Sequence, residues 1–281
     1  MTKSNPTDSD DRVTRGRISD YSRIAARYDS TRNLPDDVLL ACYKRLIQTK
    51  ILPAAGKILD AGCGTGQASL PLAALGYEIF GIDVSKEMTS IALSKVHPNW
   101  QADYIVGDVR SIQAENNNFD AAVVSKLFQH VQNWPQACRE LIRVVRSGGY
   151  IIQVNEHGAF GNAVRRYFAQ RADELGFKGR YFGLNPHSDG ELLAFMQSQS
   201  CQPVTVDMSD LRWDMSISYG EALSRIRERL FAEFWYLPEN VYDELLAVTQ
   251  AWIDAQPEGA DTIQHLTPYL AVKIFQTPRN G

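Results

Sequence analysis

Cysteine is scarce in this chain, and what there is does not cluster. The four thiols are Cys42, Cys63, Cys138 and Cys201. They lie far apart and form no CxxC pair and no Cys/His group, so neither a zinc site nor a disulfide framework is expected, and no metal. Four reduced, buried thiols is the plain expectation. Long apolar runs are also missing. No stretch approaches the roughly 18 to 20 uninterrupted apolar residues of a membrane span, so no membrane insertion is expected. The opening residues, MTKSNPTDSDDR, are too polar for a secretory signal, and a cytoplasmic protein is the default. Positive charge is not in excess either: 29 Lys and Arg face 33 Asp and Glu, a net charge of −4. One basic run, Arg12, Arg15, Arg17, Arg23, Arg27 and Arg32, is offset by Asp8, Asp10, Asp11, Asp20 and Asp29. A nucleic-acid partner is therefore disfavoured.

What is present is an apolar fraction of 44% over 281 residues, enough for a substantial core. Residues 1–16 are polar and aperiodic and read as a disordered arm. The remainder, 17–281, reads as a single domain: lid helices over 17–52, a cofactor-binding half over 53–156, and a substrate-covering half over 157–281. Tyr21, Ile24, Ala25 and Tyr28 recur at helical spacing, and a second helix is expected over Asp36–Thr49. Strand–turn–helix units follow. Strands are expected at Lys57–Asp60, Glu78–Asp83, Tyr104–Asp108, Phe119–Ser125 and Tyr150–Asn155. The intervening helices are expected at Gln67–Leu75, from an N-cap at Ser85 to Val96, and at Trp134–Val145. Beyond these come helices at Asn162–Leu175, Asp189–Gln199, Tyr219–Trp235 and Glu239–Ala255. Extended segments are expected at Val204–Met208 and Arg212–Met215, with a last strand over His265–Gln276. Alternating strands and helices mean an α/β fold, a mostly parallel seven-stranded sheet with helices on both faces, and ligands at the carboxyl ends of the strands.

Asp60, Asp83, Asp108 and Ser125 all fall at such ends. Between the first strand and its helix lies Asp60-Ala61-Gly62-Cys63-Gly64-Thr65-Gly66. Glycines at alternate positions allow a sharp turn and close approach of a ligand to the backbone, and the N-terminus of the next helix is expected at the same spot. The third glycine comes one residue early for a dinucleotide fingerprint, and no Lys-Ser/Thr follows as in a phosphate loop. Asp83, 17 residues past Gly66, stands where an acid accepts hydrogen bonds from both hydroxyls of a ribose. Asp108 stands where an acid meets an exocyclic amine.

These segments resemble class I S-adenosylmethionine (SAM)-dependent methyltransferases, in particular the ubiquinone/menaquinone biosynthesis (type 11) group of small-molecule enzymes. The matching stretches are ILDAGCGTG (58–66), IFGIDVSKEM (79–88), GDVRSI (107–112), FDAAVVSKLFQHV (119–131) and ACRELIRVVRSGGYIIQV (137–154), with YSRIAARYDSTR (21–32) similar to the family's lid helix. The resemblance implies S-adenosyl-L-methionine as cofactor and a small-molecule acceptor, in a monomer or homodimer. It places Gly62, Gly64 and Gly66 around the methionine part, with Asp60 at the start of the motif, and Asp83 on the ribose. Val84 or Met88 would pack on the adenine, Asp108 would meet its amine with Val109 beside it, and Ser125 would line the floor near the sulfonium. Tyr28 and Arg32 would close over the cofactor, the guanidinium pairing with a carboxylate.

Methyl transfer from a sulfonium is an in-line displacement, so alignment and exclusion of water are the protein's main tasks. Where a base is needed, His130 is the first candidate and His157 the second. His187 reads as a helix cap, while His97 and His265 look peripheral. Aromatic residues beyond 156 and the helices between 216 and 256 are expected to cover the substrate. The alternatives are an RNA or protein methyltransferase, and a catalytically inactive SAM-binding protein.

Overall fold

The structure is a computed structural model that describes residues 21–31, 34–159, 161–177, 182–185 and 189–279. The expected arm at 1–16, together with Arg32 and His187, lies outside the described residues. Among the described residues nine strands follow in chain order: β1 Lys57–Ala61, β2 Glu78–Asp83, β3 Ala102–Val106, β4 Phe119–Val124, β5 Val145–His157, β6 Gln202–Val204, β7 Met215–Ser218, β8 Ile263–Leu266 and β9 Tyr269–Gln276. Contacts divide the chain into two compact units.

The larger unit comprises the described residues among 24–157, 182–213 and 267–281. Its core is a seven-stranded sheet in the order β3-β2-β1-β4-β5-β9-β6. The first five strands are parallel, and β9 runs antiparallel to both β5 and β6. β4 reads Phe-Asp-Ala-Ala-Val-Val and is almost wholly buried, as a central parallel strand covered on both faces must be. Helix Asp36–Gln48 turns Val38, Leu39, Cys42, Tyr43 and Leu46 inward at spacings of one, three and four, and these join Ile58, Val123, Ile152 and Val154 in one apolar cluster. On the opposite face, helix Trp134–Val144 contributes Ala137, Cys138, Leu141 and Val144, packed with Leu59, Ala122, Val124 and Ile151. Each fully buried large side chain contributes about 1.5–3 kcal/mol. All four cysteines are buried. Burial pushes the Cys42 and Cys138 thiols up to about 12 and that of Cys201 to about 11.

The smaller unit comprises the described residues among 1–23, 158–181 and 214–266. Helices Ala163–Glu174, Tyr219–Arg227 and Glu239–Asp254 share a core of Val164, Phe168, Ile226, Tyr242 and Leu245. Strands β7 and β8 form a separate antiparallel pair there.

Several elements differ from the sequence expectation. The helix expected over Tyr219–Trp235 ends at Arg227, just before a left-handed Arg229, and Ala232–Phe234 forms a separate 3-10 turn. The extended segment expected at Val204–Met208 is instead a short strand over Gln202–Val204. The helix expected from Gln67 starts only at Leu70 and runs five residues. Gly66 has a left-handed backbone, and Pro71 has no N–H to give, so it is tolerated only in a first turn. The third strand ends at Val106, leaving Gly107 and Asp108 beyond its tip. The single last strand is two, β8 and β9, separated by Thr267 and Pro268. Proline cannot donate to a ladder, and its carbonyl instead accepts from Trp213 N at 3.1 Å. Accordingly, the extended segment expected at Arg212–Met215 joins the main sheet only by a bridge from Arg212 to Tyr269, while Met215 begins β7. No helix among the described residues is long and apolar enough to cross a membrane.

Candidate active site

The glycine-rich turn leaves β1 with φ values of +69°, +52° and +80° at Gly62, Gly64 and Gly66. It is tied to the end of β2, since Ile82 O accepts from Gly62 N at 2.8 Å and from Cys63 N at 3.0 Å. A Cβ on Gly62 would stand 2.5 Å from Leu127 Cδ1, whereas one on Gly64 would meet nothing within 4 Å. Gly64 therefore faces open space, and its backbone needs a conformation that costs other residues roughly 1–2 kcal/mol. Gly64 N donates to Asp83 Oδ2 at 2.9 Å, and Ser85 N donates to Asp83 Oδ1 at 2.9 Å. Burial raises the Asp83 pKa, while these backbone donors pull it down. Each oxygen keeps a lone pair for a further donor. Ser85 caps the next helix as expected, accepting from Met88 N at 3.2 Å.

Beside this carboxylate Val84 is 58% exposed, an apolar surface at a strand tip. Met88 and Val109 are buried instead. Asp108 is engaged by a near neighbour: Arg110 Nε lies 3.0 Å from both carboxylate oxygens and Nη2 2.6 Å from Oδ2. That guanidinium holds the Asp108 carboxyl below the usual range. Asp60 is fully buried under the turn, and neither of its oxygens meets a hydrogen-bond partner in the protein. Burial raises its pKa to about 7, with Ser69 lowering it in part and Asp83 raising it further.

The N-terminal helix Ala25–Thr31 reaches this turn through Asp29, which the sequence reading passed over as a surface acid. Asp29 Oδ1 accepts from Thr65 Oγ1 at 2.5 Å and from Gln67 Nε2 at 2.9 Å. Its Oδ2 pairs with Lys95 Nζ at 2.7 Å. Thr65, between two of the glycines, and Gln67, just past the third, are thus side-chain donors to that helix. Tyr28, half-buried on the same helix, lies 5.8 Å from Lys126 Nζ.

The tips of β4 and β5 carry a second polar group. Ser125 Oγ is buried without a protein hydrogen-bond partner. Lys126 is left-handed, with φ of +50°, and its N donates to Asn155 Oδ1 at 2.8 Å. Lys126 Nζ lies 3.6 Å from Glu156 Oε2. His130 is half-buried in a short 3-10 turn after β4. His157, at the end of β5, is exposed and stacks on Tyr269 with ring centroids 5.4 Å apart. His97 Nδ1 accepts from Asn99 N, and His265 pairs with Ser216. Lys126, Asn155 and Glu156 escaped the sequence reading, because only the β4–β5 register brings residues 30 positions apart together.

A family described as "Methyltransferase domain" matches residues 59–153, the span from β1 through the glycine turn to β5. A putative methyltransferase of Bacillus subtilis, YqeM, is 44% identical over 221 residues, which cover 74% of this chain and 81% of that protein. The chain belongs to the SAM-dependent methyltransferase family. The demethylmenaquinone methyltransferase of Renibacterium salmoninarum is 27% identical to this methyltransferase over 143 residues, half of this chain and 59% of that one. Among solved structures, a putative methyltransferase of an antibiotic biosynthesis pathway from Anabaena variabilis superposes with a TM-score of 0.58 at 17% identity, covering 88% of this chain and 99% of that one. The shared fold is the doubly wound sheet described above.

Proposed function

We propose that this methyltransferase moves the methyl group of SAM to a small organic acceptor. The observation that carries the reading is the joint geometry of Gly64 and Asp83. A left-handed glycine opens onto free space, and the acid that braces it keeps lone pairs for a ribose. In this reading Gly62, Gly64 and Gly66 border the methionine part, and Asp83 holds the ribose hydroxyls. Val84 gives the adenine an apolar floor, with Met88 and Val109 supporting it from below. Asp108, already clamped by Arg110, accepts from the adenine amine with the lone pairs left over. Asp60 lies beneath the turn and faces the ammonium end with a carboxyl that ionises when that charge arrives. Tyr28 closes over the ligand, and Ser125 lines the floor toward the acceptor.

The bound cofactor supplies an activated methyl carbon on a positive sulfur. The protein's part is to fix the line of attack and to keep water out. A small acceptor is favoured by relatives named for demethylmenaquinone and by a net charge of −4. His130, half-buried after β4, is the better candidate base than His157, whose ring is exposed and stacked on Tyr269.

Calorimetric titration with SAM and with S-adenosylhomocysteine tests the reading. Micromolar binding by the wild type is expected, with a loss of roughly tenfold or more in Gly64→Ala and in Asp83→Asn. Unchanged affinity in both variants would refute it.

A further inference from the structure

We propose that Lys126 and Glu156 form the acceptor subsite of this methyltransferase and select a neutral, acidic hydroxyl, that of a phenol or an enol. The proposal rests on the methyl-transfer reading above and adds the class of acceptor to it.

Sheet order supplies the place. The glycine turn leaves the tip of β1, and the proposed nucleoside contacts lie toward β2 and β3. β4 and β5 lie on the other side of β1, and their tips carry Ser125, Lys126 and Glu156. Ligands of open parallel sheets bind at this end, where the order reverses. Along β5, Ile152 and Val154 face one apolar cluster, and alternation puts Glu156 on that same side.

The pair is unlike a structural ion pair. The Glu156 side chain is only 2% exposed, and neither of its oxygens meets a hydrogen-bond donor in the protein. Lys126 Nζ is buried as well and likewise makes no hydrogen bond. The two charges stand 3.6 Å apart, beyond the roughly 2.7–2.9 Å of a closed ammonium–carboxylate bond. Desolvating each ion costs several kcal/mol, repaid only when its remaining valences are satisfied. Lys126 also holds a left-handed backbone that favours glycine, fixed by the bond from its N to Asn155. Strain of this kind concentrates at functional sites.

The charges decide the acceptor class. A carboxylate would be repelled by Glu156 and an ammonium by Lys126. A neutral O–H suits both, donating to Glu156 while accepting from Lys126. On transfer the hydroxyl proton moves to the Glu156 carboxylate, and the negative oxygen is held by the Lys126 ammonium. An oxygen lone pair then forms the new O–C bond as the S–C bond breaks, and that bonding pair stays on sulfur. Glu156 afterwards returns its proton to solvent. A carboxylate is a weak base, which restricts the partner to acidic hydroxyls.

The test uses p-nitrophenol as a probe, added to the full chain saturated with S-adenosylhomocysteine, at a pH where the free probe is mostly protonated. The wild type is expected to bind it and to bring up the phenolate absorption band. Benzoate and benzylamine are expected to bind roughly tenfold more weakly or worse. Glu156→Gln should keep some binding without the band, and Lys126→Met should lose both. Lys126→Arg should restore part of the band. The double variant Lys126→Met/Glu156→Gln leaves no lone buried charge, and it should bind S-adenosylhomocysteine like the wild type while ignoring the probe. A wild-type band in the double variant, or tighter binding of benzoate or benzylamine than of the phenol, overturns the acceptor assignment alone. A wild type that does not bind S-adenosylhomocysteine overturns the methyl-transfer reading and this proposal with it.

Discussion

Asp60 keeps its proton well above the usual carboxylate range because it is buried, an effect that the neighbouring Ser69 only partly offsets. Below 3.8 its carboxyl is protonated whether the chain is folded or not; above that, the unfolded chain loses the proton while the folded one keeps it to about 7. The folded state is therefore favoured at low pH by this group, and the advantage is lost between those two values, on the order of 4 kcal/mol in all. Asp60→Asn should raise the melting temperature more at pH 8 than at pH 4. Equal shifts at both, read by thermal unfolding, would show that this carboxyl does not titrate as its burial requires. Some residue roles are local and were legible: Ser85 caps its helix because serine before an apolar-periodic run does so by its own geometry, and Asp83 was legible as an acid at a strand end. Asp29 was not. Its partners Thr65 and Gln67 lie 36 and 38 residues on, and nothing in its neighbours distinguishes it from a solvated acid.

At the scale of elements, helix Ala25–Thr31 is short and joined to the glycine turn and to Lys95 by one carboxylate. Seven residues make a helix that is marginal on its own. Asp29→Asn removes the charge from these contacts, and charge-assisted bonds are worth about 1.5–3 kcal/mol. Hydrogen exchange in residues 25–31 should speed up, and SAM should bind roughly tenfold more weakly, with little change in overall stability. Protected amides in that helix, with normal affinity, would dismiss the link. Strand positions were mostly legible because buried parallel strands are short apolar runs between turn residues. The helix after the glycine turn started late, since apolar periodicity in Gln67–Leu75 is silent about a left-handed Gly66 followed by Pro71. The last strand was read as one although Pro268 already marked the break; a proline inside an apolar run can mean an edge strand or an interruption, and only the pairing of β8 with β7 decides.

At the scale of the whole molecule, the sheet unit draws on three separate stretches of chain, 24–157, 182–213 and 267–281. The alternation of strands and helices made the parallel half legible, whereas β9 enters antiparallel between β5 and β6, and its pairing with β5 spans more than a hundred positions. The glycine turn, Asp83, Lys126 and Glu156 all precede residue 158, yet β5 has no neighbour on its outer side until β9 arrives. During synthesis the half that carries the chemistry therefore emerges well before its sheet can close, with a thirteen-residue strand offering bare amides and carbonyls to any passing chain. A truncation after Leu266 should accumulate as aggregate, and a separately supplied peptide spanning β9 should recover soluble, SAM-binding protein. Soluble truncated protein without the peptide would mean that the outer edge of β5 tolerates exposure. A newly made copy of this enzyme is thus most in need of a chaperone in the interval between its fifth strand and its ninth.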